Sequence, residues 1–373
     1  MYTFTDIDKH YMKRAFLLAK RGLGNASPNP MVGAVVVKGN KILSEGYHKQ
    51  FGFPHAEENA LSKINYMAKN ATIYVTLEPC ATTGKTKPCV DIIIKSGIKR
   101  VVIAIIDKNP LHSSNGINVL RKAGIAVEIG LLNDYAQEFY TYFFQYIQTK
   151  MPYTILKTAV TLDGKIATIQ GQSKWITSLR SRRYVHQLRK KVDALLVSVN
   201  TVIKDDPLLT VRLKDRTIYP TVILVGSIEK LPISSRILQK ESAKRVIIIS
   251  KKTDLNDSKV YTLIKTGAQV ITVNEKNSRI DLRDLLRKLG ALGIISVLLE
   301  SGGDLAFSFL KENLIHEIQY FYAPKLFGGK SAKTAVDGQG VSDIADAFNV
   351  KIAKIKKIDE DFLVVGKLDY TKK

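Results

Sequence analysis

Cysteine is nearly missing from this chain: only Cys80 and Cys89 occur among 373 residues. Two thiols inside one short segment cannot form the disulfide framework of a small secreted domain, and such a pair more often binds metal or does chemistry. Long apolar runs are missing too, none approaching the ~20 residues of a membrane helix. The opening Met1-Tyr-Thr-Phe-Thr-Asp-Ile-Asp8 has no basic segment followed by an apolar core, so a cytoplasmic protein with no membrane contact is expected. Acidic residues are scarce: 34 Asp plus Glu stand against 57 Lys plus Arg, a formal net charge of +23. A field of that sign attracts phosphorylated small molecules or polyanions. Lys is nevertheless spread along the whole chain without a basic block, which favours a solvated positive surface. Clustered Gly and Pro are absent as well, and 45% hydrophobic with 24% charged residues fits a globular protein.

The length suggests two domains, because a single core rarely grows so large. Residues 11–21 place apolar groups at helical spacing, with Gly22 at the expected C-cap. Gly22-Leu-Gly24 follows a helix and not a strand, which excludes a dinucleotide-binding turn there. Val32–Val37 reads as a strand turning through Lys38-Gly-Asn40 into Lys41–Tyr47. A helix opens near Pro54, strands follow at 71–77 and 100–106, and a helix lies at 90–96, so the first half reads as a three-layer α/β domain. The aromatic stretch Phe139–Tyr146 has helical spacing and is assigned to packing. A new strand at 153–160 places the boundary near 150, giving domains 1–150 and 151–373. Strands at 194–199, 221–225, 245–250, 269–273 and 294–299 make the second half α/β too, with no fixed-period repeat.

The chemistry-bearing constellation is in the first half. His55-Ala-Glu57 opens the helix after Pro54, Pro79-Cys80 ends a strand, and Cys89 follows. One imidazole and two thiolates make a tetrahedral zinc site whose fourth position stays open, the arrangement of a catalytic centre. Zinc in such a site lowers the pKa of a bound water to about 7, and Glu57 is placed to move the proton as catalytic acid and base. His-x-Glu with a later Pro-Cys is the signature of zinc deaminases acting on nucleobase-like rings. His10, His112, His186 and His316 lack such company and are assigned surface or core roles.

Thr76-Leu-Glu-Pro-Cys-Ala-Thr-Thr-Gly-Lys-Thr-Lys-Pro-Cys89 resembles the long metal loop of the riboflavin-biosynthesis bifunctional deaminase/reductase family. Pro28-Asn-Pro-Met-Val-Gly33 and Gly46-Tyr-His48 resemble that family's substrate segments. So, for the reductase half, do Leu162-Asp-Gly-Lys-Ile-Ala167, Gly171-Gln-Ser-Lys-Trp-Ile-Thr-Ser178, Asp205-Asp-Pro-Leu-Leu-Thr-Val-Arg212 and Glu300-Ser-Gly-Gly303. The resemblance covers nearly the whole chain. It implies a cytidine-deaminase-like domain followed by a dihydrofolate-reductase-like α/β domain, with zinc and NADPH as cofactors. The implied reactions are hydrolytic loss of the 2-amino group from a diamino-(5-phosphoribosylamino)pyrimidinone, then NADPH reduction of the ribosyl group to ribityl.

By the same resemblance Asn29, His48 and Lys85 contact the deaminase substrate. Ala159, Trp175, Thr201, Asp205, Gly302 and Gly303 contact NADPH, and Lys157, Ser173, Arg189, Leu209, Arg212 and Glu300 contact the reductase substrate. A strand followed by Glu300-Ser-Gly-Gly303 and a helix at 305–310 offers backbone N–H groups suited to a pyrophosphate. The implied partners are phosphorylated pyrimidines, in a homo-oligomer that binds no nucleic acid. Three departures stand out: Ala81-Thr82 replaces the family's usual Ser-His, Ser198–Thr201 replaces a glycine-rich turn, and Leu224-Val-Gly226 lacks an acidic residue. The competing reading is a tRNA or other nucleobase deaminase with an appended RNA-binding domain, for which the basic surface would hold the backbone. The long metal loop argues against it.

Overall fold

The computed structural model describes residues 4–82, 87–110, 113–212, 217–251 and 258–371. They form two compact units, Met1–Met151 and Pro152–Lys373.

The first unit runs α1 (Asp6–Ala19), β1 (Gly33–Lys38), β2 (Lys41–Tyr47), α2 (Ala56–Leu61), β3 (Thr72–Val75), α3 (Cys89–Lys95), β4 (Arg100–Ile103), α4 (Asn115–Lys122), β5 (Ala126–Ile129), α5 (Asn133–Phe139) and α6 (Thr141–Thr149). Thr5 starts α1 through a capping box with Asp8, each side chain accepting from the other's backbone N–H. The helix ends at Ala19 and continues as one 3-10 turn to Gly22, which is not left-handed and so is no C-cap glycine. The sheet order is β2-β1-β3-β4-β5, antiparallel from β2 to β3 and parallel from β3 to β5.

Two glycines set the layers. A Cβ on Gly33 would overlap the backbone of α1 at Ala15, and one on Gly46 would overlap α2 at Ala56 and Ala60. Gly46 pairs with Ala34, the neighbour of Gly33 on β1. Adjacent strand residues face opposite sides, so α1 and α2 cover opposite faces of the sheet. The face under α2 is a continuous core of Ala34, Val36, Ala60, Leu61, Ile73, Val75, Ile93, Ile103 and Leu120. On the other face, Phe16 of α1 packs edge-on against Tyr135 and Phe139 of α5.

The second unit runs β6 (Tyr153–Thr161), α7 (Leu179–Arg189), β7 (Ala194–Ser198), α8 (Val199–Asp205), the short pair β8 (Val211–Arg212) and β9 (Thr217–Ile218), β10 (Thr221–Val225), β11 (Val246–Lys251), α9 (Ser258–Lys265), β12 (Gln269–Val273), the short pair β13 (Glu275–Lys276) and β14 (Arg279–Ile280), α10 (Leu282–Ala291), β15 (Ser296–Leu299), α11 (Gly303–Lys311), β16 (Glu317–Ala323), β17 (Asn349–Ile358) and β18 (Asp361–Asp369). Its main sheet has nine strands in the order β12-β11-β10-β7-β15-β6-β16-β18-β17. The first seven in that order are parallel, and β18 and β17 close the edge antiparallel. Runs such as Ala194-Leu-Leu-Val197 and Val297-Leu-Leu299 are buried throughout, as strands covered on both faces must be.

Candidate functional site

Helix α2 has His55 at its N-cap, in extended backbone, and Glu57 in its first turn. Because Gly46 lets α2 sit down on the sheet, both side chains are held beside the end of β3, where the chain continues through Glu78-Pro79-Cys80. Cys89 enters from the start of α3. The Nδ1 of His55 lies 3.5 Å from Cys80 Sγ and 3.3 Å from Cys89 Sγ, and the three ligand atoms all fall within 4.8 Å of one another. The Cys89 backbone N–H points at Cys80 Sγ at 3.5 Å. Hydrogen bonding from Cys89, with help from His55, draws the Cys80 thiol well below its usual range, while donating to Cys80 and burial push Cys89 up. Two soft sulfurs, one carrying thiolate character, and one imidazole form a donor set that fits zinc.

His55 and Cys80 open on a cavity of about 380 Å³. Glu57 lines it and is 3% exposed, and burial pushes its carboxyl up to about 7. His48 and Asn29 line it together: Asn29 Nδ2 donates to His48 Nε2 at 3.2 Å, and His48 Nδ1 donates to the Pro54 carbonyl at 3.2 Å. A carbonyl can only accept, which puts the proton on Nδ1 and leaves Nε2 as acceptor. Burial lowers the His48 pKa, so the ring stays neutral. Lys85, the third predicted substrate contact, lies outside the described residues. Thr82, standing where the family commonly has an imidazole, lines the cavity.

Sequence reasoning missed part of this wall. Phe143, Tyr146 and Ile147 of α6 face the cavity, although the aromatic stretch was assigned to packing alone. Tyr140 and Phe144 do pack: Tyr140 donates to the Met31 carbonyl at 3.0 Å and meets Thr76 Oγ1 at 2.6 Å. The 3–4 spacing of 143, 146 and 147 could have shown that this helix has a second face. Glu78, Asp107 and Asn109 also line the cavity and were not singled out.

In the second unit, three predicted residues converge. Arg189 of α7 binds Glu300 with both prongs, Nε to Oε1 at 2.6 Å and Nη2 to Oε2 at 3.0 Å, and Lys157 Nζ of β6 lies 3.5 Å from Oε2. Burial would raise the Glu300 carboxyl, yet Arg189 and Lys157 hold it down at about 2, while burial lowers Lys157. Arg189 Nη1 also donates to the Thr210 carbonyl at 3.1 Å, tying α7 to the segment that carries Leu209 and Arg212. Leu209 is left-handed, at φ 49°. Arg212 is exposed, and its backbone N–H donates to His186 Nδ1 at 3.3 Å, a supporting role that the sequence did not point to.

The predicted cofactor residues are more dispersed. Thr201 is in the first turn of α8, which Ser198 Oγ caps by accepting the Thr201 N–H at 3.2 Å. Lys174 reaches the other end of α8, donating to the Asp205 carbonyl at 3.3 Å, between half-buried Ser173 and an exposed Trp175 on which Arg182 stacks at 4.4 Å. Ala159 packs against the cluster of Val185, Phe321, Ile358 and Leu363. Gly302 is the N-cap of α11 and makes no side-chain cap, and nothing lies within 4 Å of where its Cβ would be. Gly303 is needed for a different reason: a Cβ there would come 2.6 Å from the Asp337 backbone nitrogen. Strands β7 and β15 are neighbours, so α8 and α11 start side by side at the carboxyl ends of a parallel sheet, where α/β folds bind nucleotides. Uncapped amides at α11, open space at Gly302 and this position fit the pyrophosphate of NADPH.

Comparison with known proteins agrees with both halves. Residues 5–105 match the cytidine and deoxycytidylate deaminase zinc-binding region, and residues 152–364 match the RibD C-terminal domain. The riboflavin biosynthesis protein RibD of Actinobacillus pleuropneumoniae is 43% identical over 99% of this chain and 96% of its own length. A solved structure of Acinetobacter baumannii RibD shares 34% identity with a TM-score of 0.86, covering 98% of this chain and 99% of that one. A Thermotoga maritima structure described as a diaminohydroxyphosphoribosylaminopyrimidine deaminase/5-amino-6-(5-phosphoribosylamino)uracil reductase shares 36% identity at a TM-score of 0.77, with the same coverage. The match of the second half to the RibD C-terminal domain supports the deaminase/reductase reading over an RNA-binding appendage.

Proposed function

The chain belongs to the RibD family of riboflavin biosynthesis proteins, and we propose that it runs two successive reactions of that pathway, deamination in residues 1–150 and reduction in residues 151–373. The observation that carries the reading is the convergence of His55, Cys80 and Cys89 within 4.8 Å, with His55 and Cys80 on the wall of the cavity that Glu57 also lines.

His55, Cys80 and Cys89 would hold zinc, which when bound supplies the Lewis acidity that makes water a nucleophile at neutral pH. Glu57 accepts the proton of the attacking water at its carboxylate and delivers it to the departing 2-amino nitrogen. The water oxygen bonds to C2 as the C2–N bond breaks and ammonia leaves. Asn29 and the Nε2 of neutral His48 bind polar atoms of the ring, and Lys85 binds the phosphate.

NADPH supplies the hydride for the second reaction. The α11 amides at Gly302 and Gly303, with Thr201, Asp205, Trp175 and Ala159, would hold it. Ser173, Leu209 and Arg212 position the phosphoribosyl substrate, and the Arg189–Glu300 pair orients Lys157. Lys157 Nζ donates a proton to the ring oxygen of the sugar as its bond to C1′ breaks, matching the hydride that NADPH would supply at C1′.

The net charge of +23 suits phosphorylated pyrimidine substrates. Among the described residues no helix is long and apolar enough to cross a membrane. Cytoplasmic location, a homo-oligomeric state and the lack of a nucleic-acid partner complete the reading on the strength of family membership. Its test is one assay on purified protein, supplying the diaminopyrimidinone phosphate and NADPH while following ammonia and NADPH together. Ammonia release followed by NADPH consumption, with stoichiometric zinc, is expected; tight, salt-sensitive RNA binding without ammonia release would favour the competing reading.

A further inference from the structure

Two residues before Cys80, Glu78 is 5% exposed and its carboxylate accepts from main chain distant in sequence. Its Oε2 accepts the backbone N–H of Asp107 at 3.2 Å and of Ser114 at 3.0 Å. Its Oε1 accepts that of Gly116 at 3.0 Å and of Ile117 at 3.4 Å. A carboxylate is suited to this, being acceptor-only with room for four donors. The gripped amides lie between the end of β4 and the first turn of α4, next to Asp107 and Asn109 on the wall of the deaminase cavity. The chain there is stiffened locally by Asp107 Oδ1, which accepts the Asn109 N–H at 2.8 Å. A second, independent feature presses it home: Gly116 lies so close to Pro79 that a Cβ would overlap the Pro79 carbonyl oxygen. On its other side the Glu78 N–H donates to the Ile105 carbonyl at 3.1 Å, so the residue is fixed between β3 and the end of β4.

We propose that Glu78 is a positioning residue of the deaminase, clamping the backbone at Asp107 and at 114–117 so that Asp107 and Asn109 stand at a fixed place in the cavity relative to Cys80. The proposal rests on the deaminase reading above. It assigns Glu78 no contact with substrate and no proton transfer. Its effect passes through the loop to substrate binding, not to the metal.

Two variants of the full-length protein test it. Glu78→Gln puts an NH2 group against two of the four amide donors, and Gly116→Ala pushes the same loop off Pro79 while leaving the carboxylate intact. Each is expected to raise KM for ammonia release about tenfold with kcat changed by less than about threefold, the pattern of lost uniform binding. Zinc content should remain at the wild-type value, and exchange of the amides of Asp107, Ser114, Gly116 (Ala in the second variant) and Ile117 should quicken in both. Gly116→Ala decides the matter if Glu78→Gln does not fold. An unchanged KM in both variants, or unchanged exchange of those four amides, overturns the clamp, as does zinc loss in proportion to lost activity, which would put Glu78 at the metal instead. A wild-type protein that releases no ammonia would sink the deaminase reading alone, since the exchange measurement still judges the clamp.

Discussion

Arg189 and Glu300 meet as a bidentate pair, with N–O distances of 2.6 and 3.0 Å, although 111 positions separate them in the chain. The pair is largely buried, and Lys157 completes it from β6. Replacing Arg189 by Ala leaves a buried carboxylate with one weaker partner. Unfolding of the second unit in denaturant should then show a loss of up to about 3 kcal/mol, the low end for a broken buried pair because Lys157 remains. Wild-type stability in that variant would mean the pair is solvated in practice.

Glu57→Gln should cut kcat for ammonia release by about 10³-fold, within the range of a lost general acid–base. Zinc content should stay intact, and so should NADPH oxidation when the already deaminated substrate is supplied. Elemental analysis and the two assays run in parallel check this, and joint loss of both activities contradicts it.

Arg212 is exposed, its backbone is held by His186, and its guanidinium makes one long contact, Nη1 to Thr210 Oγ1 at 3.4 Å. Arg212→Ala is expected to weaken reductase-substrate binding by about tenfold or more, as loss of a charge-assisted contact should, while NADPH binding changes little. Separate titrations of the two ligands decide; equal losses refute the assignment.

His316 stacks on Tyr153 with ring centroids 4.8 Å apart and accepts the Thr154 N–H on Nδ1 at 3.0 Å. Burial pushes its pKa from 6.5 down to about 4. The folded protein therefore keeps the ring neutral where the unfolded chain would protonate it. The stability this contributes is complete above about pH 6.5 and is lost as pH falls toward 4. Between pH 7 and pH 5 the wild type should lose about 2 kcal/mol more than His316→Gln, whose amide oxygen can still accept from Thr154. Parallel urea titrations at the two pH values measure the difference, and identical pH dependence in both proteins would remove His316 as the cause.

Local chemistry was well represented in the sequence. His55, Glu57, Cys80 and Cys89 could be named because zinc ligation demands particular residue types, and His-x-Glu at a helix start and Pro-Cys after a strand are short-range patterns. Strands β1, β2, β7, β10, β11 and β12 were legible from β-branched runs, and the β1–β2 hairpin from its Gly-Asn turn. Glu78 was passed over even though it stands two residues before a ligand, because its partners are at 107 and 114–117 and no spacing rule links them. The α6 residues were read for one face of a helix that has two.

What the amino-acid order settled alone is which groups are available and which short segments are helix or strand, since both depend on neighbours within a few positions. What tertiary structure decided is which of those groups meet. Glycine at 33 and 46 lets two helices close on opposite faces of one sheet, bringing His55 and Glu57 against Cys80. Placing β15 between β7 and β6 carries Glu300 to Lys157 and starts α8 and α11 side by side. Strand order follows from how whole faces bury against one another, a balance summed over the entire core that no local pattern records.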